Sequence, residues 1–173
     1  PPAQVTLDPD TANANLYLSD DCRDVWWEEC KQRVPSNPRR FVGQPCVLGS
    51  TGFTSGQHRW EVQVCRQGVW AIGVAKQSVP RKGLISLSPK EGIWALQHHE
   101  GQRHAPVFSF FTHLRLPKAP RLIQVTLDYQ EGRVEFFDAV TAQKILGFPP
   151  ASFKGEKIYP FFLVQGDTHL KIL

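Results

Sequence analysis

Apolar and polar residues alternate with a period of two along the best-marked segments of this chain. In Arg59-Trp60-Glu61-Val62-Gln63-Val64, the side chains of Trp60, Val62 and Val64 point one way and those of Glu61 and Gln63 the other. That is the pattern of a strand with one buried face. After Cys65-Arg66-Gln67-Gly68 the pattern resumes in Val69-Trp70-Ala71-Ile72-Gly73-Val74, with Trp70, Ile72 and Val74 on one face and small residues on the other. The gap ending in Gly68 predicts a hairpin whose last turn residue has positive φ. The design recurs in Leu122-Ile123-Gln124-Val125-Thr126-Leu127, a turn through Asp128 to Gly132, and Arg133-Val134-Glu135-Phe136-Phe137. Further strands are expected at Leu16–Leu18, Cys46–Gly49, Ile93–Gln97, Ile158–Leu163 and Leu170–Leu173. No stretch carries a long helical apolar stripe, and the best helix candidate is the short Pro149–Phe153. Many short strands with turn signals between them predict an all-β sandwich or barrel. Ser78–Pro89 and His98–Pro120 are long and irregular, and long loops on a rigid scaffold are where binding resides.

Composition fits this picture. The chain has 173 residues, enough for one domain with a core of its own, and thirteen Gly and fourteen Pro punctuate it. No apolar run approaches the roughly 18 residues of a membrane span, so no membrane contact is expected. The absence of Met suggests a piece of a longer protein. Net charge is +4. The basic residues (Arg39, Arg40, Arg81, Lys82, Lys118, Arg121, Lys154, Lys157) are scattered and do not form the patch or stripe of a nucleic-acid binder. RNA therefore stands behind a protein or peptide as the expected partner. Cys22, Cys30, Cys46 and Cys65 form no Cys-x-x-Cys pair, so they read as free thiols of a reducing, cytoplasmic compartment.

Candidate chemistry changes little. His98 and His99 on a strand point to opposite faces and do not share an ion, so no metal is expected; His104 follows six residues after His98. Asp8 and Asp128 border turns, where a carboxylate accepts backbone N–H bonds. Glu61 and Asp128 would serve as a glycosidase pair only if they faced each other roughly 5–10 Å apart across a cleft, and nothing in the sequence places them so. No elbow frames a nucleophile and no Gly-rich phosphate loop occurs, so neither catalysis nor a cofactor is expected.

Three stretches carry a family resemblance: Leu7-Asp8-Pro9, Trp60-Glu61-Val62 and Leu127-Asp128-Tyr129. Together they resemble the signature motifs of the PRY–SPRY, or B30.2, domain. Leu18-Ser19-Asp20-Asp21, Arg40-Phe41, Val47-Leu48-Gly49, Ser55-Gly56-Gln57-His58, Arg81-Lys82-Gly83 and Tyr159-Pro160-Phe161-Phe162 extend the likeness from about Val5 to Leu173.

The resemblance implies a bent sandwich of two antiparallel sheets with a short helical PRY segment. It is expected as one domain over residues 1–173, with PRY to about residue 50 and SPRY from about 51. Such domains end tripartite-motif ubiquitin ligases and butyrophilins and recognise partners through variable loops. Catalysis, where present, sits in a separate RING domain, and oligomerisation is expected from upstream regions. The positions implied to line the recognition surface are Gln44, Cys46, Val69, Ala71, Leu84, Leu87, Gln97, His99, Leu163, Gln165 and Asp167. The loop Gln97–His104 is the expected centre, with Gln97 and His99 facing the same side. Ala71 stands where relatives that sense phosphorylated metabolites would place a histidine, which argues against a phosphate pocket.

Overall fold

A computed structural model describes residues 2–99 and 120–173. The strands are β1 (Leu16–Leu18), β2 (Asp24–Trp27), β3 (Cys46–Leu48), β4 (Gln57–Arg66), β5 (Val69–Lys76), β6 (Ile93–His99), β7 (Leu122–Asp128), β8 (Arg133–Asp138), β9 (Lys144–Gly147), β10 (Ile158–Gln165) and β11 (His169–Ile172). They form two antiparallel sheets among the described residues. One is seven-stranded, in the order β1-β2-β11-β4-β7-β8-β9. The other is four-stranded, in the order β3-β10-β5-β6.

The alternation explains the packing. Trp60, Val62 and Val64 of β4 and Trp70, Ile72 and Val74 of β5 belong to one core, each set projecting from its own sheet into the shared interior. A second apolar cluster lies on the outer face of the four-stranded sheet. There Ala71, Ala75, Ala95, Phe161 and Leu163 are covered by Phe41, Val79 and Ile85. The small residues opposite Trp70 and Ile72 therefore face a second buried layer. Gly73 shows how tightly this sheet is packed, because a Cβ there would stand 1.9 Å from the Trp94 carbonyl oxygen.

Four expectations need correction. The gap at Gly68 does not close a hairpin. β4 pairs with β7 and β11, while β5 pairs with β6 and β10, so Gly68 lies where the chain crosses from one sheet to the other. Its φ is positive, +132°, and Thr168 Oγ1 crowds the space a Cβ would need. Period-2 alternation marks a strand and its buried face without naming its partner.

The second correction is that the PRY segment carries no helix. Asp8-Pro9 resembles a helix start. Its turn ends with Thr11 N donating to Asp8 O at 3.0 Å and Ala12 N to Pro9 O at 3.3 Å, because no apolar stripe of helical period follows to hold further turns.

Third, Pro149–Phe153 is irregular. Pro150 disfavours the helical region at Pro149, and the Ala151 N–H is committed to Gly132 O at 2.9 Å. The one helical element among the described residues is a single 3-10 turn, Pro89–Glu91. Fourth, β2 and β9 were not anticipated. Adjacent Trp26 and Trp27 mask the alternation in β2, where only Val25 is buried.

A neutral cavity on the outer face of the four-stranded sheet

Register aligns most of the candidate residues. Leu163 of β10 pairs with Cys46 of β3 and Ala71 of β5, and Ala71 pairs with Gln97 of β6. One row thus crosses all four strands. Two residues further along, Val69 pairs with Gln165 and His99. Directly opposed residues share a face, so these seven side chains lie on the outer face, away from the main core.

The segment before the 3-10 turn closes over them. Gln44 Oε1 accepts the Ile85 N–H at 2.7 Å, and Gln97 Nε2 donates to Leu87 O at 3.4 Å. The short bond fixes the segment, and the long one is weak and readily exchanged. A concavity of about 530 Å³ results, within the range of small-ligand and peptide sites.

Eight of the eleven candidates line it: Gln44, Val69, Ala71, Leu87, Gln97, His99, Leu163 and Gln165. Three do not. Cys46 is fully buried at 0% exposure, beneath the floor, so it packs and cannot touch a partner. Leu84 is 86% exposed and turned outward, because Ile85 takes the buried position of that segment. Asp167 pairs with Arg66 at 2.9 Å on an exposed turn outside the lining. Residues 100–104 of the expected loop lie outside the described residues. Trp70, Ile85, Ser86 and His98, within the expected segments 69–71, 84–87 and 97–104 but not singled out, also line the cavity, as does Ser88 beyond them. Irregular backbone gives no periodicity from which to assign a face.

Ala71 (1% exposed) and Leu163 (8%) make an apolar floor. The polar groups around it are glutamine amides, serine hydroxyls and imidazoles, and the lining contains no Lys, Arg, Asp or Glu among the described residues. His98 and His99 diverge as alternation predicts. The His98 ring stacks on Trp70 at 5.2 Å, with Nδ1 3.1 Å from Gly68 O. No group of three or more His, Cys, Asp or Glu able to hold a metal occurs among the described residues.

The other candidate chemistry resolves into structure. Asp8 Oδ1 accepts the Asp10 N–H at 3.0 Å and Asp128 Oδ1 the Glu131 N–H at 3.1 Å, both turn roles. On the outer face of the large sheet Asp128 pairs with Gln57 and Glu61 with Gln124. The two carboxylates are thus separated by four strand residues, about 13 Å, beyond glycosidase spacing. Asp128, but not Glu61, lines a second concavity of about 560 Å³, together with residues such as Arg59, Thr126, Arg133 and Glu135. These are the polar alternates of β4, β7 and β8, so the same period-2 pattern could have located it.

Comparison with known proteins agrees with this architecture. The SPRY-associated PRY family matches residues 5–53, and the SPRY domain family matches residues 57–173. Butyrophilin subfamily 1 member A1 of Mus musculus is 42% identical over 158 residues, 91% of this chain and 30% of that protein. The E3 ubiquitin-protein ligase TRIM15 of Sus scrofa is 46% identical over 162 residues, 92% of this chain and 34% of that protein. The chain thus spans about a third of the length of these relatives. Among solved structures, the TRIM65 PSpry domain superposes with a TM-score of 0.75 at 23% identity, covering 99% of this chain and 90% of that one, and shows a shared fold. Stonustoxin superposes with a TM-score of 0.74 at 25% identity, covering 99% of this chain and 29% of that one. Domains of this kind are generally non-catalytic modules that bind proteins, and the two sheets, the motif set and the family matches together make this chain a member of the PRY–SPRY family.

Proposed function

We propose that this chain is the substrate-recognition domain of a tripartite-motif ubiquitin ligase acting in the cytoplasm, and that it holds an exposed peptide or loop of its substrate in the neutral cavity. The observation that carries this reading is the pair of cross-strand rows roofed by the Ile85–Leu87 segment. The rows place an apolar floor beneath several orientable amide and imidazole groups. Such a surface suits uncharged side chains and peptide backbone, whose donors and acceptors it can match.

Similarity to TRIM15 supports the ligase context. Similarity to butyrophilin subfamily 1 member A1 favours a second reading, the cytoplasmic domain of a butyrophilin-like receptor with the same cavity. The residues preceding Pro1 in the full protein separate the two. RING, B-box and coiled-coil segments mark the first; immunoglobulin domains and a membrane span mark the second. RNA binding, the reading of a different class, would show a steep loss of affinity with added salt; the uncharged lining gives it no support at this site.

The test is the double substitution Gln97→Ala/His99→Ala. Affinity capture followed by mass spectrometry should show partner recovery falling roughly 5- to 30-fold, the effect of removing two polar contacts. Tm should move by no more than a few degrees, and Asp167→Ala, outside the cavity, should leave capture intact. Undiminished capture by the double variant would remove the cavity from the site.

A further inference from the structure

A second depression adjoins the first and differs from it in charge. It encloses about 660 Å³ and shares Ser88 with the neutral cavity. Its apolar wall is Pro149 and Pro150, backed by Trp94, which is buried at 3% exposure. Trp94 is held by Phe153, whose ring meets it edge-on at 5.2 Å. Three lysines from three separate elements complete the lining: Lys76 at the end of β5, Lys90 in the 3-10 turn and Lys154 in the turn before β10. No carboxylate lines the cleft, and none of the three lysines forms an ion pair among the described residues. Glu91 follows Lys90 in the chain, and the Glu156 carboxylate accepts the Ser78 N–H at 2.7 Å outside the lining. The nearby charge of Lys76 also favours the ionised Glu156, so Lys90 and Lys154 are the lysines that chiefly face a partner.

Lys154 occupies a costly position. Its φ is +54° and that of Gly155 +75°, and Glu156 N donates to Phe153 O at 2.9 Å. These are the marks of a two-residue turn with both central residues left-handed, a turn that favours Asn or Gly. A lysine gives up backbone ease there and delivers its ammonium group to the cleft rim.

The two depressions are close. They meet at Ser88, which lines both. Trp94 and Gln97 project from opposite faces of β6, so a peptide passes from one depression to the other over this rim. We propose that the cleft docks an acidic stretch of the same peptide partner, with Asp or Glu lying a few residues to one side of the segment held in the neutral cavity. The inference rests on the peptide-binding reading of that cavity. Carboxylates meet the ammonium groups, while their aliphatic stems and neighbours lie against Pro149 and Pro150. Because Lys90 and Lys154 are exposed, this part of the contact is screened by salt, whereas the neutral cavity is not.

Selection from a random dodecapeptide display library tests the idea. It would use the chain itself, the Lys90→Gln/Lys154→Gly variant and the Gln97→Ala/His99→Ala variant. Glycine is at ease at position 154, so the first variant keeps its fold; unchanged far-UV circular dichroism verifies this. The unsubstituted chain should enrich a neutral stretch flanked on one side by acidic residues. Enriched peptides, synthesised with capped ends, should bind the lysine variant about three- to ten-fold more weakly at low salt, and the gap should close at high salt.

Enrichment without acidic bias, or a bias that survives the lysine substitutions, overturns the inference while leaving the cavity intact. A bias that needs the lysines but ignores Gln97 and His99 supports the cleft and overturns the cavity reading. No enrichment at all overturns both. Displacement of the peptides by oligouridylate at equal concentration would assign the lysines to phosphates and also overturn the proposal.

Discussion

The four cysteines occupy graded environments, and all are free thiols. Cys46 lies fully buried beneath the cavity floor, where burial pushes its thiol far above the ordinary value. Cys65 is half-buried, and its thiol is raised first by burial and then by the charge of Asp24, against a smaller opposing pull from Lys171. Cys30 is exposed. Since the thiolate is the reactive form, iodoacetamide near neutral pH should alkylate Cys30 first and Cys65 slowly. Cys46 should react only after denaturant is added. Peptide mapping of time points checks the order, and modification of Cys46 in the native chain would contradict its burial. Cys46 also shows what a strand position reveals. Its alignment with Leu163 gives the correct face, but depth depends on the Phe41 and Ile85 layer above, which comes from irregular segments without a readable pattern. Leu84 and Ile85 make the same point in reverse, because nothing in the local sequence says which of two adjacent aliphatics turns inward.

Gly68 and Gly132 look equivalent in the sequence, each ending a turn between two alternating strands, yet they perform different tasks. Gly132 does close the β7–β8 hairpin. Its φ is +67°, and a Cβ there would stand 1.7 Å from the Ala151 carbonyl oxygen. Gly68 instead carries the chain between sheets. Strands were legible because the core sorts side chains by alternate positions. The partnering of β4 with β7 and β11 was not, because it is decided by which distant strands complete each sheet. The cost at Gly132 separates two effects. Gly155 also has positive φ, +75°, but nothing lies within 4 Å of its would-be Cβ. Gly155→Ala should therefore lose only the conformational preference, about 1–2 kcal/mol. Gly132→Ala adds a backbone collision and should lose about 3 kcal/mol or more. Urea unfolding with an unchanged m-value would register both. Equal losses would mean that the Ala151 segment yields freely.

At the scale of the whole molecule, the two family blocks interlock. Residues before Gln57 supply β1 and β2 at one edge of the large sheet and β3 at one edge of the small one. Arg40, buried, ties this region together by donating to Pro9 O at 3.0 Å, Ala12 O at 2.7 Å and Pro35 O at 2.9 Å. Val5, Leu7, Leu16, Val25, Phe41, Val47 and Leu48 are each no more than 3% exposed and complete both apolar clusters. At about 1.5–3 kcal/mol apiece, their loss would match or exceed the roughly 5–15 kcal/mol by which a domain is stable. It would also leave β10 and β11 with unpaired edges. The full chain should therefore unfold in one step. Trp26 and Trp27 sit in the first block and Trp60, Trp70 and Trp94 in the second, so fluorescence reports on both. Its transition should coincide with that of far-UV circular dichroism. A chain of residues 57–173 should show no cooperative transition; if it melts sharply on its own, the blocks are separate folding units. The same interlock governs the cavity, because Gln44, which holds Ile85 in place, comes from the first block while the floor comes from the second. Peptide capture should accordingly require both blocks in one folded chain.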